Sequence, residues 1–156
     1  MSAIASRCHD VVLQGMTHDS SYPGLRRFLN AYGVVSVILF GDLFVLTATN
    51  APILQDGGAL RFMRWTPLAP MIEMMLEGVY FVWAIFFFMA AKEPAAYLSF
   101  LRFTLWANAV HGLIMLVQAV LMPEFLYKIF TDIAYCLVLA IGLALLMPKS
   151  SEARVR

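Results

Sequence analysis

Charged residues are scarce in this sequence. Lys, Arg, Asp and Glu make up 13% of the 156 residues, and the formal net charge is only +1. Such a chain does not have the composition of a disordered protein, and its 62% of hydrophobic residues is extreme for a soluble domain. It also lacks a concentrated basic surface, so we expect no nucleic-acid partner. These absences favour a protein whose main partner is the lipid bilayer.

Cysteine and long polar stretches are also in short supply. The two cysteines, Cys8 and Cys136, are predicted to lie in a polar tail and within an apolar segment, so no disulfide framework is expected. The longest polar stretch is residues 1–28, and the loop that contains Arg61 is shorter. Neither is long enough to bury a core of its own. Any activity is therefore expected in the apolar part of the chain.

Four apolar stretches determine the predicted fold class. Each approaches or exceeds the ~20 residues that a helix needs to cross a hydrocarbon core, and none alternates as a barrel strand would. We predict an all-α integral membrane four-helix bundle over residues 29–147, with tails at 1–28 and 148–156. The predicted spans are residues 29–50, 71–91, 97–121 and 125–147.

The distribution of basic residues predicts the orientation. An even number of spans puts both termini on one side, and that side is predicted to be cytoplasmic because it carries more Lys and Arg. The opposite side has Arg61, Arg64 and Lys128. The predicted cytoplasmic side has Arg7, Arg26, Arg27, Lys92, Arg102, Lys149, Arg154 and Arg156. The sequence thus predicts a multi-pass membrane protein with both termini cytoplasmic.

Ionisable residues occur once in each predicted span at a similar depth. Asp42, Glu77, His111 and Asp132 each fall about 10–15 Å below the outer surface, at about 1.5 Å per helical residue. Such residues are costly in lipid and usually face a bundle interior or a polar cavity. We therefore predict an inward-facing polar pocket built from these four side chains.

Helical spacing adds two residues to the mouth of this pocket. Glu73 lies one turn before Glu77, and Gln118 shares a face of the third helix with His111. The predicted pocket is therefore Asp42, Glu73, Glu77, His111, Gln118 and Asp132. The competing interpretation is that these groups only hydrogen-bond across helices, and that structural role suits Asn108 and Gln118 well.

Several occupants fit such a pocket. Carboxylate and imidazole ligands suit a divalent metal, with Glu77, His111 and Asp132 as candidates. A quinone could instead bond His111 and stack on an aromatic ring of Tyr80, Trp106 or Tyr135. Haem is disfavoured because the spans contain one histidine. Copper would need the methionines near the outer helix ends, which are Met71, Met74, Met75 and Met122.

Residues 71–119 contain Met71-Ile72, Gly78-Val79-Tyr80, a turn from Ala90 to Pro94, and a helix from Phe103 to Gln118. In these features the segment resembles a family of small, uncharacterised bacterial four-helix membrane proteins, which implies a location in a bacterial inner membrane. The architecture is also loosely similar to DoxX-like four-helix proteins. Neither resemblance implies an activity.

Three functions follow as hypotheses. The first is a pocket that binds a small ligand or cation. The second is a non-catalytic accessory subunit of a larger membrane complex, and the third is an oligomeric transporter of a small solute or ion. Catalysis is disfavoured because the sequence shows no nucleophile–base arrangement and no glycine-rich phosphate loop.

Overall fold

The regular structure of the protein is helical throughout the part described by the computed structural model, residues 22–65 and 69–148. Four α-helices, α1 to α4, span Pro23–Ala48, Pro70–Lys92, Leu98–Leu121 and Asp132–Leu146. Three 3₁₀ segments span Pro52–Leu54, Arg61–Met63 and Pro123–Phe130. The predicted all-α class is confirmed. Most of both predicted tails, including Cys8, lies outside the described residues.

Three of the helices have the length and composition of membrane spans. α1, α2 and α3 contain 26, 23 and 24 residues, and each is apolar enough to cross a membrane. α1 begins earlier than predicted, at Pro23, so Arg26 and Arg27 lie in its first turns rather than in the tail. Proline opens both α1 and α2, at the helix position where its missing N–H costs nothing.

The predicted fourth span, residues 125–147, differs from one straight helix. Its first part belongs to the 3₁₀ segment Pro123–Phe130, which meets α4 at a bend of 43°. Thr131 separates the two with φ −119° and ψ −100°, outside the helical region. α4 alone has 15 residues, so it reaches the length of a span only together with the 3₁₀ segment.

The helices pack mainly as two pairs. α1 packs against α2, α3 packs against α4, and α1 also contacts α4. Glycine allows close approach in the first pair, where a Cβ on Gly33 would lie 3.0 Å from the ring of Phe88. Side chains link α2 to α3, since Trp83 Nε1 donates to Thr104 Oγ1 at 2.9 Å.

The two ends of the bundle are built differently. At one end, which we call the packed end, α1 and α3 begin and α2 and α4 end. Its core consists of Leu25, Leu29, Ala84, Phe87, Ala90, Ala91, Leu101, Leu139 and Leu143. At the other end, the pocket end, the core is smaller and consists of Met115, Ala119, Phe125, Ile133 and Cys136. The polar residues predicted as a site lie toward the pocket end.

Candidate functional site

A cavity of about 510 Å³ lies at the pocket end of the bundle. All four α-helices contribute to its wall, together with the connection between α1 and α2 and residues of the bend before α4. Its wall is mostly apolar and aromatic, with few polar groups. The four acidic or imidazole side chains among the lining residues are Glu73, Glu77, His111 and Asp132.

Four of the six predicted pocket residues therefore meet at one cavity, and two do not. Asp42 is exposed on α1 and lines a neighbouring depression instead. α1 is apolar on every side, so its sequence gave no periodic signal for the rotation that turns Asp42 outward. Gln118 is exposed on α3, because Met115 and Ala119 occupy the face that packs into the core. The predicted pocket is therefore corrected at Asp42 and Gln118, which do not line the cavity.

Glu73 is held by an arginine from the connection between α1 and α2. Arg64 Nε donates to Glu73 Oε2 at 2.7 Å, and the side chain of Arg64 is only 4% exposed. Glu73 also lies in the first turn of α2, where a negative charge is favoured by the helix dipole. This carboxylate is thus neutralised by the protein itself.

Asp132 is held by a lysine and a tryptophan. Lys128 Nζ donates to Asp132 Oδ2 at 2.9 Å and to the carbonyl oxygen of Met63 at 2.8 Å. Trp65 Nε1 donates to the same Oδ2 atom at 2.8 Å. The Lys128 side chain is fully buried, with its ammonium 5.3 Å from the centre of the Trp65 ring. The bend at Thr131 and the α1–α2 connection are therefore joined at this carboxylate.

Glu77 differs from the other two carboxyl groups because no basic side chain in the described residues pairs with it. Thr47 Oγ1 donates to its Oε1 atom at 3.0 Å. Its Oε2 atom is buried and has no hydrogen-bond partner among the described residues. An unpartnered buried oxygen is unusual in a folded protein and is a group that a ligand could satisfy.

Aromatic rings form another part of the cavity wall. Phe40 and Tyr80 are stacked, with ring centroids 4.7 Å apart and planes 14° apart. Tyr135 stands nearly perpendicular to both, at 82° to Phe40 and 84° to Tyr80. Tyr80 also lies 6.3 Å from the His111 ring. Trp106, a predicted stacking residue, is 69% exposed and does not line the cavity.

Hydrogen bonds fix the position of Tyr135 in this wall. The Tyr32 hydroxyl donates to the backbone carbonyl of Tyr135. The Tyr135 hydroxyl and Ser36 Oγ are 2.6 Å apart, and Ser36 is fully buried on α1. These bonds tie α1 to α4 beside the cavity, so the perpendicular ring is held rather than free to rotate.

Sequence comparison places the chain in a family. Residues 28–155 match the family of unknown function DUF6632, which is most of the 156-residue chain. The chain belongs to DUF6632. The match contains residues 71–119, the segment that resembles an uncharacterised family in the sequence. No match was found among curated proteins or among solved structures. The activity of this DUF6632 protein must therefore be inferred from its site.

The predicted metal ligands of this DUF6632 protein do not form a metal site. Within residues 22–65 and 69–148, no group of three or more His, Cys, Asp and Glu side chains could hold a metal ion. Glu77, His111 and Asp132 do line one cavity, but Lys128 and Trp65 already donate to Asp132. Glu77, His111 and Asp132 therefore share a cavity wall without forming such a group in the part of the chain that the structure describes.

Four residues that contact the cavity-lining carboxyl groups were not predicted as part of the site. They are the partners of the three carboxyl groups, Thr47, Arg64, Trp65 and Lys128. The sequence did contain one signal for such partners. Three basic residues lie on the predicted outer side, close to the predicted acidic residues of the pocket. The short connections have no periodicity that shows which base meets which acid.

Asn108 is buried, as expected of a structural residue. Its Nδ2 atom donates to the backbone carbonyl of Thr104, one turn back on the same helix, at 2.9 Å. The expected hydrogen bond across helices does not form, and its Oδ1 atom has no partner among the described residues.

Proposed function

We propose that this DUF6632 protein is a bacterial inner-membrane four-helix protein, loosely DoxX-like, that binds a small lipid-soluble molecule in the cavity at the pocket end. The observation that carries the proposal is Glu77 Oε2, a buried and unpartnered carboxyl oxygen at a cavity of about 510 Å³. Ligand sites typically have this volume, mostly apolar walls and few polar groups.

The ion pairs favour an organic ligand over a metal ion. Arg64 and Lys128 neutralise Glu73 and Asp132, which leaves Glu77 as the cavity carboxyl group without a basic partner in the described residues. One carboxyl group and one imidazole offer too few ligands for a typical divalent site. Apolar walls with two polar anchors, Glu77 and His111, instead suit a molecule that is largely hydrocarbon.

Ligand retention provides the test. The full chain is purified in a mild detergent, and native mass spectrometry with lipid extraction identifies bound molecules. Glu77→Gln is expected to lose a molecule that the parent retains, because the amide cannot replace the carboxyl oxygen Oε2. Glu93→Gln is the matched control, since Glu93 is exposed at the other end of α2.

The same preparation tests the competing hypotheses. Equal retention by Glu77→Gln and the parent would contradict the ligand site. Recovery of the chain only within a larger complex would favour the accessory subunit, and transport that requires an oligomer would favour the transporter.

We also propose that both termini are cytoplasmic. The support is the excess of Lys and Arg on the side that carries the termini. The single substitutions Ala59→Cys and Glu93→Cys, each in a chain without Cys8 and Cys136, would place a thiol on opposite sides of the membrane. An impermeant thiol reagent applied to intact cells should label the Ala59→Cys protein and not the Glu93→Cys protein. The reverse result would contradict the proposed orientation.

A further inference from the structure

The charges around the cavity do not balance. Three carboxyl groups line it, Glu73, Glu77 and Asp132, while two basic side chains pair with them. Glu77 is the one left over within residues 22–65 and 69–148. A carboxylate that is buried without a counter-charge is costly, so it must gain either a proton or a cation. A cation carried by the ligand would supply the missing charge.

The aromatic rings in the cavity wall can stabilise such a cation. Phe40 and Tyr80 are stacked, and Tyr135 stands perpendicular to both, so the three rings pack on one another in one part of the wall. The faces of aromatic rings carry partial negative charge and attract organic cations. The three rings and Glu77 line the same cavity. An aromatic wall therefore favours positive charge for the same reason that the carboxyl group does.

A second acidic residue lies beside the cavity. Asp42 lines a depression on the outer face of α1, next to the connection between α1 and α2. Leu39, Leu43 and Met63 line both this depression and the cavity, so they form the wall between the two. These three side chains are flexible, unbranched at Cβ and without hydrogen bonds to break. An exposed carboxylate at such a wall would attract a cation toward the cavity.

We infer that the ligand is a lipophilic organic cation, with Glu77 as its counter-charge and the Phe40, Tyr80 and Tyr135 rings in the wall beside it, and that it enters from the lipid beside Asp42. This inference rests on the proposed function and narrows it to one chemical class. Arg64 and Lys128 are each paired with a carboxylate, so Glu77 is the cavity carboxyl group left for the cation within the described residues. Asp42 attracts the ligand, and Glu77 retains it.

Two probes of nearly the same shape separate the contribution of charge to binding from the contribution of apolar contact. Benzyltrimethylammonium carries a permanent positive charge, and neopentylbenzene replaces its nitrogen with carbon. Binding of each labelled probe to the full-length protein in zwitterionic lipid discs is measured by equilibrium dialysis, with the signal of empty discs subtracted, and the association rate is measured by rapid filtration. The variants are Glu77→Gln, Asp42→Asn and the control Glu93→Gln, and the melting midpoint of each shows that it is folded.

The inference predicts a distinct result for each variant. Glu77→Gln should weaken binding of the cation about tenfold and that of the neutral probe less than about twofold, since one ion pair is lost. Glu93→Gln should change neither. Asp42→Asn should slow association of the cation several-fold while its equilibrium affinity changes less than about twofold, because a charge at an entrance acts on the rate.

Other results would overturn the inference. If neopentylbenzene binds as tightly as the cation, and Glu77→Gln affects both alike, the ligand class is wrong although the proposed cavity function survives. If a short-chain quinone binds and the cation does not, the same conclusion holds. If none of the three probes binds, the proposed function fails as well. An unchanged association rate of the cation in Asp42→Asn would show that the ligand does not enter beside Asp42.

Discussion

The packed end and the pocket end of the bundle hold their helices together by different means. At the packed end, Leu25, Leu29 and Phe87 fill the space between helices with less than a few per cent of their surface exposed. At the pocket end the helices enclose a cavity, and the ion pairs of Arg64 and Lys128 bridge the elements around it. Apolar packing fixes one end, and polar contacts fix the other.

This difference indicates where the protein can accommodate a ligand. Helix association in lipid depends on close packing, because the surrounding lipid tails are as apolar as leucine. An end that gives up close packing therefore needs another source of stability, and Lys128, Trp65 and Asp132 provide it. Polar contacts at the rim allow the space between the helices to stay open for a bound molecule.

The largest effect is expected from a matched pair of aromatic truncations. Phe87→Ala at the packed end should lower the free energy of unfolding by about 3 kcal/mol, because it leaves a void in a closed core. Phe40→Ala should cost about 1 kcal/mol, since its ring borders an existing cavity and loses mainly its stacking on Tyr80. Unfolding in mixed micelles by titration with dodecyl sulfate measures both. Equal losses would show that the two ends do not differ in packing.

Removal of the buried Lys128 side chain tests whether its ion pair with Asp132 stabilises the pocket end. Lys128→Met should lower the free energy of unfolding by about 2 kcal/mol, because Asp132 loses its counter-charge. Adding Asp132→Asn should restore at least half of that loss, whereas Lys92→Met at an exposed position should change little. The same titration gives these values. No recovery in the double variant would mean that Lys128 acts through packing alone.

Two arginines of the α1–α2 connection form a smaller comparison. Arg64 pairs with the half-buried Glu73, whereas Arg61 pairs with Asp56, which is 89% exposed. Arg64→Gln should cost about 1 kcal/mol and increase proteolysis of residues 51–65, while Arg61→Gln should stay within about 0.5 kcal/mol. Limited proteolysis in lipid discs measures this opening. Identical digestion of both variants would show that Arg64 does not hold the α1–α2 connection in place.

The smallest effect on stability is expected for Glu77→Gln. Thr47 can still donate to the amide oxygen, and the partnerless Oε2 atom is replaced by an NH₂ group that is also without a partner. The melting midpoint should therefore move by no more than about 1 °C. A large fall would show that Glu77 is a structural residue, which would weaken its role as a ligand group.

The helices were predictable from the sequence because each apolar run is long enough to span lipid. The bend at Thr131 was not, because neither Thr131 nor Asp132 is a helix breaker like glycine or proline. Lys128, in the segment before the bend, donates to the carbonyl oxygen of Met63 on another element, and this contact depends on the tertiary structure. A single sequence does not carry that information.

The site was predictable in proportion to the periodic signal on each helix. Glu73 and Glu77 share a stripe of α2, and both line the cavity. α1 has one acidic residue in a helix that is apolar all round. The depth of Asp42 in the predicted span therefore did not show which side of the helix it lies on. The basic partners stayed hidden, because they come from short connections whose conformation depends on the contacts they make.

The shortness of α4 has a consequence for how the chain crosses a membrane. Fifteen helical residues extend about 22 Å, well below the ~30 Å of a typical hydrocarbon core. The 3₁₀ segment that precedes Thr131 meets α4 at a bend of 43°, and its last residue, Phe130, is 85% exposed. In a bilayer, the 3₁₀ segment would have to supply the rest of the crossing. The bend would then let the angle between the two parts adjust to the thickness of the hydrocarbon core.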